Sequence, residues 1–279
     1  SWPLHRPKDM LENIPDISSF STILDAEDDQ MLSLVVDGIN YIFDKSTGFL
    51  KKVISNRKEI SLKDGPSLAG VKLTLQSFKH YEEGRLHIVE PIYSDENRFW
   101  VRWTFASGQL PQMEYRYGAR NETDYLGITF HYPEENIIGM KWLGRGPYRA
   151  WKNRMKGMTL GVWQKKYNNT ITGESWDYPE FKGWHSELYW VKLQNKESDF
   201  TIYTDQQNIF LYMLKPERPK NAPNENTNPP FPSDGNIGFM HAISPIGTKF
   251  QPAEVMGPQS RKNVSLNAPM QGSLWFDFR

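Results

Sequence analysis

Cysteine is missing from all 279 residues, which excludes disulfides, thiolate metal sites and cysteine nucleophiles. It does not assign a compartment. Net charge is missing as well: 33 Lys and Arg balance 33 Asp and Glu, so neither nucleic acid nor a membrane surface is an expected partner. No apolar run approaches the ~20 residues that cross a bilayer, and no signal peptide is legible. The opening Ser1-Trp2-Pro3 lacks an initiator Met, which reads as an excised or processed product. The histidines His5, His80, His87, His131, His185 and His241 are scattered with no i,i+4 pair, so no metal site is expected. There is no Walker loop, dinucleotide fingerprint or serine elbow, and no cofactor is expected. Helical periodicity is absent too, because apolar residues nowhere hold a 3.6 period over three turns.

What the chain does have is alternation. Leu32, Leu34 and Val36 lead to Asp37-Gly38, and Ile39, Tyr41 and Phe43 follow it, a strong hairpin signal. A second turn is expected at Asp44-Lys45-Ser46-Thr47-Gly48. Alternating runs recur at Val71, Leu73, Leu75; at Leu86, Ile88; at Phe99, Val101, Trp103, Phe105; at Met113, Tyr115, Tyr117; and at Leu126, Ile128, Phe130. Phe200 and Ile202 resume the pattern, and Leu274, Phe276 and Phe278 close it with a strand that should be built into a sheet. The fold class is therefore all-β, a large antiparallel sandwich over residues 23–279, preceded by a proline-bearing linker or N-terminal arm over 1–22. Any helix should be short and fall within Arg149 to Met158. The prolines and asparagines between Pro216 and Pro232 mark an irregular loop. Aromatic residues, 14% of the chain, suit sugar binding because their faces pack on pyranose C–H groups, and they equally suit a sandwich core.

The most demanding stretch is Trp142-Leu143-Gly144-Arg145-Gly146-Pro147-Tyr148-Arg149-Ala150-Trp151-Lys152-Asn153-Arg154. Ile138, Met140 and Trp142 alternate as one apolar strand face, and the glycines with Pro147 are expected to take the strand out of its sheet. Arg145, Arg149, Lys152, Arg154 and Lys156 then follow without an intervening acid. They should form an exposed basic loop able to clasp a carboxylate, whether of an anionic ligand or of a neighbouring domain.

This stretch resembles the W-x-G-x-G-P-x-E-x-Y-x-D-R signature of the C-terminal β-sandwich of β-galactosidases and other family 2 glycoside hydrolases. Trp142, Gly144, Gly146, Pro147 and Arg154 match, while Arg149, Trp151 and Asn153 replace the family's Glu, Tyr and Asp. Tyr178 to Trp190 is similar to a second landmark through Glu180, Gly183 and Trp190, though its arginines are missing. Gly238-Phe239-Met240-His241 and Lys249-Phe250-Gln251-Pro252 resemble a third, with Phe250 in the place of an aromatic that stacks on sugar at the active-site mouth. The resemblance implies a galactose-mutarotase-like supersandwich that docks on an upstream (β/α)8 catalytic domain of the same parent chain, with carbohydrate as ligand. A periplasmic or secreted parent enzyme is the expectation.

Glycosidic cleavage needs two carboxyl groups about 5–9.5 Å apart. Glu174, Asp177, Glu180 and Glu187 cluster in sequence around Trp176, Tyr178 and Trp184, but the resemblance places the catalytic pair in the barrel, and these acids read as surface partners of the basic loop. No catalytic residue is therefore assigned to this chain. The candidates for carbohydrate or interdomain contact are Arg145, Tyr148, Arg149, Trp151, Arg154, Trp184, His185 and Phe250. His185 reads first as a structural histidine, and Phe250 by default as a ring packed under its own loop. Two other readings stand beside this one: a free-standing carbohydrate-binding module, and an aldose 1-epimerase, whose Asn-His-x-Tyr-Phe-Asn pattern His131-Tyr132-Pro133 imitates only in part.

Overall fold

The computed structural model describes residues 6–12, 14, 23–94, 99–118, 122–172, 180–220, 226–263 and 269–279. Among them the chain is built almost wholly from antiparallel strands. A smaller ladder runs as a meander through Leu24–Glu27, Met31–Val36, Ile39–Asp44, Leu50–Ser55 and Lys58–Ile60. The larger ladder begins with Leu75–Glu83, Leu86–Tyr93, Trp100–Phe105 and Gln112–Tyr117. It continues through Met270–Asp277, Phe200–Thr204, Gly183–Asn195, Ile137–Ala150 and Thr159–Lys166.

Gly183–Asn195 serves two neighbourhoods. Its later part pairs with Phe200–Thr204, and its first residues pair with Phe210–Met213, which leads through Ile237–Ala242 and Leu126–His131 to Lys63–Leu68. Lys63–Leu68 closes the circuit by pairing Gly65 with Leu50 of the smaller ladder.

The alternation explains how the ladders stack. In Met31–Val36 and Ile39–Asp44 every second side chain is buried, so Leu32, Leu34, Tyr41 and Phe43 all point one way. They meet the inward face of the larger ladder: Tyr41 lies 5.0 Å from Phe105 and Phe43 5.6 Å from Trp103, ring centre to ring centre. Trp103 in turn packs at 5.0 Å on Phe276 of the closing strand. The expected all-β sandwich is thus the fold observed.

The turns form as their residues require. Asp37 and Gly38 take φ of 50° and 80°, the left-handed pair of a two-residue hairpin, and Val36 pairs with Ile39 across it. In the next turn the Asp44 carboxylate accepts from the Ser46 backbone N–H at 2.8 Å, and Gly48 bonds back to the Asp44 carbonyl at 2.7 Å. The region after Pro216 is irregular over its described residues, as expected.

Other expectations are corrected. Val71 and Leu73 lie outside any strand, because Gly70 at φ 72° turns the chain after Lys63–Leu68; both still pack half-buried on the core. Residues 149–158 hold no helix. Arg149 and Ala150 end a strand, and a tight turn follows in which Arg154 N–H donates to the Trp151 carbonyl at 2.8 Å. Among the described residues the α-helix is instead Pro7–Leu11, which packs against Gly183–Asn195 and Phe200–Thr204. The Asp9 carboxylate accepts from the Arg6 backbone N–H at 2.6 Å at its start. No helix among the described residues is long and apolar enough to cross a membrane.

Candidate functional site

The strand Ile137–Ala150 does not leave its sheet at the glycines. It runs on for 14 residues through Gly144, Gly146 and Pro147, and it pairs with Thr159–Lys166 as far as Gly146↔Thr159. The glycines are there for close approach. A Cβ on Gly146 would fall 2.7 Å from the Trp163 ring, and one on Gly144 would fall 3.0 Å from the Glu187 carbonyl. Trp163 lies against this gap and donates from Nε1 to the Gly144 carbonyl at 3.2 Å. The apolar face also differs from expectation, since Met140 and Trp142 are buried but Ile138 is 52% exposed. A register shift between Ile137 and Gly139 changes the phase, and Ile137 takes the inward place.

The basic residues are not an exposed, unpartnered loop. Arg145 pairs with Glu187, and Arg149 pairs with Glu180. Lys152 donates to the carbonyls of Arg261 and Lys262 at 2.8 and 3.1 Å. Arg154 donates to the Gly247 carbonyl at 2.9 Å. Of the five, Lys156 alone is exposed with no partner among the described residues. The reason is topological. The wide irregularity that aligns Leu143 with Trp190 but Arg145 with Ser186 turns Glu187, at φ 52°, towards Arg145. Glu187 lies on the strand Gly183–Asn195 and Glu180 just before it, so sequence order alone did not say which acid meets which arginine.

Arg149 occupies the most constrained position. Its side chain is only 7% exposed and that of Glu180 12%, and its guanidinium lies 5.3 Å above the Trp151 ring. Burial lowers its pKa to about 10. Lys165 approaches the same place, donating to the Glu180 carbonyl and lying 5.6 Å over the Trp142 ring. Burial, and then the charge of Arg149, pull Lys165 down to about 7. Glu180 and Glu187 are therefore each committed to an arginine. Glu174 and Asp177 lie outside the described residues.

Trp151, Trp184 and Tyr148 belong to a second, satellite core. Trp184 is fully buried and stacks on Phe231 at 4.8 Å, Trp151 meets the same ring at 5.7 Å, and Tyr148 packs half-buried beside them. His185 is fully buried too. Its Nε2 donates to the Phe181 carbonyl at 2.9 Å and its ring packs on Trp142 at 5.2 Å. Desolvation, reinforced by the Lys165 charge, lowers its pKa to about 3, so it is a neutral structural imidazole. A surface-rim role for Trp184 or His185 is corrected by this burial.

Phe250 departs from its bland reading in the opposite direction. The ring is 84% exposed, with Val255 at 64% and Met256 at 38% exposed nearby in sequence, and Lys249 Nζ stands 5.9 Å from its centre. The backbone beneath it is nevertheless fixed. Thr248 Oγ1 accepts from the N–H groups of Phe250 and Gln251 at 3.2 and 3.0 Å. Asn153 donates to the Ile246 carbonyl at 2.9 Å, accepts from its N–H at 3.0 Å and donates to Ser260 Oγ at 2.9 Å. Together with Lys152 and Arg154, it holds the segment 246–262 on both sides of Phe250. Sequence reasoning missed this bracing; the carboxamide at 153, both donor and acceptor where the signature has an acid, was its only signal.

What results is a large antiparallel sandwich domain with no free acid pair along this motif among the described residues, and with a braced loop that presents an aromatic ring. The chain belongs to the β-galactosidase small chain family, whose model matches residues 18–213 and so takes in the Trp142 to Arg154 stretch. The resemblance carried by that stretch is borne out. The Phe250 loop lies beyond the matched span. No curated protein matches the chain. Among solved structures, a mutarotase candidate from Salmonella typhimurium is similar at 13% identity and a TM-score of 0.40, over 98% of this chain and 99% of that one.

Proposed function

We propose that this chain is the non-catalytic C-terminal domain of a family 2 glycoside hydrolase of the β-galactosidase type. It docks on a (β/α)8 catalytic domain of the same parent chain and contributes to the carbohydrate site. The observation that carries the reading is Phe250, 84% exposed on a loop tied down from both sides. An aromatic face held in water on a fixed backbone is a surface prepared for an apolar partner, such as the C–H face of a sugar. Membership of the small-chain family supports the β-galactosidase setting.

The basic stretch does not support docking through free cations, because Arg145, Arg149, Lys152 and Arg154 have partners within the chain. Contact with the barrel rests instead on apolar surface near the ring, including Val255 and Met256. The cations hold the platform.

The test is hydrolysis of a panel of aryl β-glycosides by this chain alone and by a protein that joins it to its barrel. Activity is expected only in the joined protein, with a β-galactoside preferred. Phe250→Ala there should lower kcat/KM about tenfold, the loss of one stacking contact of about 1–1.5 kcal/mol. Hydrolysis by the chain alone, or an unchanged kcat/KM in the variant, would overturn the respective half of the reading. Saccharide binding by the chain without a barrel would favour a free-standing binding module.

A further inference from the structure

A hairpin brings His80 and His87 together. Leu75–Glu83 and Leu86–Tyr93 turn at Gly84, which sets Glu82 directly opposite His87. The two side chains therefore share a face, and His80, two residues before Glu82, shares it with them. The edge strand Leu24–Glu27 faces this hairpin. His80 Nε2 lies 3.3 Å from Glu27 Oε2, and His80 Nδ1 lies 3.2 Å from His87 Nε2, with the imidazoles stacked at 5.4 Å. One carboxylate oxygen each from Asp25 and Glu82, and a ring nitrogen of His87, all lie within 4.8 Å of one another.

The acceptors fix the tautomers. An ionised carboxylate can only accept, so His80 donates from Nε2 to Glu27, and its Nδ1 is then the acceptor of the relay. His87 must then donate from Nε2. This leaves an unprotonated lone pair on His87 Nδ1, an atom that is buried and has no hydrogen-bond partner among the described residues, in a side chain only 2% exposed. A buried imidazole with an unpartnered nitrogen, grouped with two carboxylates, is a set of acceptors that a cation satisfies.

We propose that Asp25, Glu82 and His87 Nδ1 form a binding site for a divalent transition-metal ion of the zinc class. An imidazole with two carboxylates suits such an ion better than magnesium or calcium, which prefer all-oxygen shells. His80 and Glu27 form the outer relay: His87 Nε2–H donates to His80 Nδ1, and His80 Nε2–H donates to Glu27, orienting the ligating ring. The ion joins the strand Leu24–Glu27 to a hairpin with which it does not itself pair. Leu24–Glu27 pairs with Met31–Val36 in the smaller ladder, whereas both partners of the hairpin lie in the larger one.

Calorimetric titration of the 279-residue chain with zinc chloride, with magnesium chloride as the comparison, tests the site. Glu82→Gln and Asp25→Asn alter exposed side chains and keep the fold. One zinc per chain is expected, bound about tenfold or more weakly in each variant. Zinc should raise the melting temperature of the parent chain more than that of either variant, and cobalt in its place should give a visible ligand-field band that both variants alter. Absence of saturable zinc binding, equal affinity in the variants, or magnesium binding as tight as zinc would each overturn the proposal.

Discussion

Arg149 shows how one substitution relative to a family signature is absorbed. A cation in place of an acid, at 7% side-chain exposure, is tolerable only with a counter-charge beside it, and Glu180 supplies that charge. Glu180→Gln should therefore destabilise the chain by about 3–5 kcal/mol in urea unfolding, since it leaves a buried guanidinium uncompensated. Glu187→Gln acts on the wetter Arg145 pair and should cost about 1 kcal/mol. Equal losses would mean that burial does not separate the two pairs. His185 makes the acid limb of stability predictable. Its folded pKa of about 3 lies below the unfolded value of 6.5, so at intermediate pH the unfolded chain binds a proton that the folded chain refuses. The stability it leaves intact above pH 6.5 is lost as pH falls towards 3, at about 1.4 kcal/mol per pH unit. Unfolding at a series of pH values should give a shallower slope for His185→Gln than for the parent, and identical slopes would contradict the assignment. That acids of the Glu174 to Glu187 cluster pair with the basic stretch, and that His185 is structural, was legible in the sequence; which acid meets which arginine, and how deeply each pair lies, was not, because both depend on strand register.

Among the elements, the hairpins were legible because turn chemistry and alternation agree. Gly38 and Gly48 both have positive φ, yet they differ in surroundings: a Cβ at 38 meets nothing within 4 Å, whereas one at 48 falls 2.5 Å from Pro91 Cβ. Gly38→Ala should therefore cost about 1–2 kcal/mol from backbone strain alone, and Gly48→Ala about 3 kcal/mol or more, strain and overpacking together. Urea midpoints for the pair would check this. The strand Ile137–Ala150 was misread at its far end for a related reason. Glycine and proline usually punctuate, but here the glycines make room for Trp163 and the ladder continues. Sequence shows that a Cβ is absent; it does not show whether a turn or a neighbouring ring requires the absence.

For the molecule as a whole, period-2 patterning was enough to give an antiparallel sandwich, since Leu32, Tyr41, Trp103, Met113 and Phe276 all fall on its inner faces. The candidate site was legible only in part. Trp151, Trp184 and His185 lie within the two landmark stretches and proved to be core, whereas Phe250, outside the matched span, proved to be exposed. Aromatic residues follow the same patterns whether they pack inward or outward in loops, so the distinction required the fold.

The closing strand Met270–Asp277 is hydrogen-bonded on both flanks, to Gln112–Tyr117 and to Phe200–Thr204. Synthesis from the N-terminus therefore makes the keystone of the larger ladder last. Until it emerges from the ribosome, two open strand edges and the pocket for Phe276 stand exposed, and a nonsense codon anywhere before position 270 would make that exposure permanent. Such products should aggregate rather than persist as smaller folded domains.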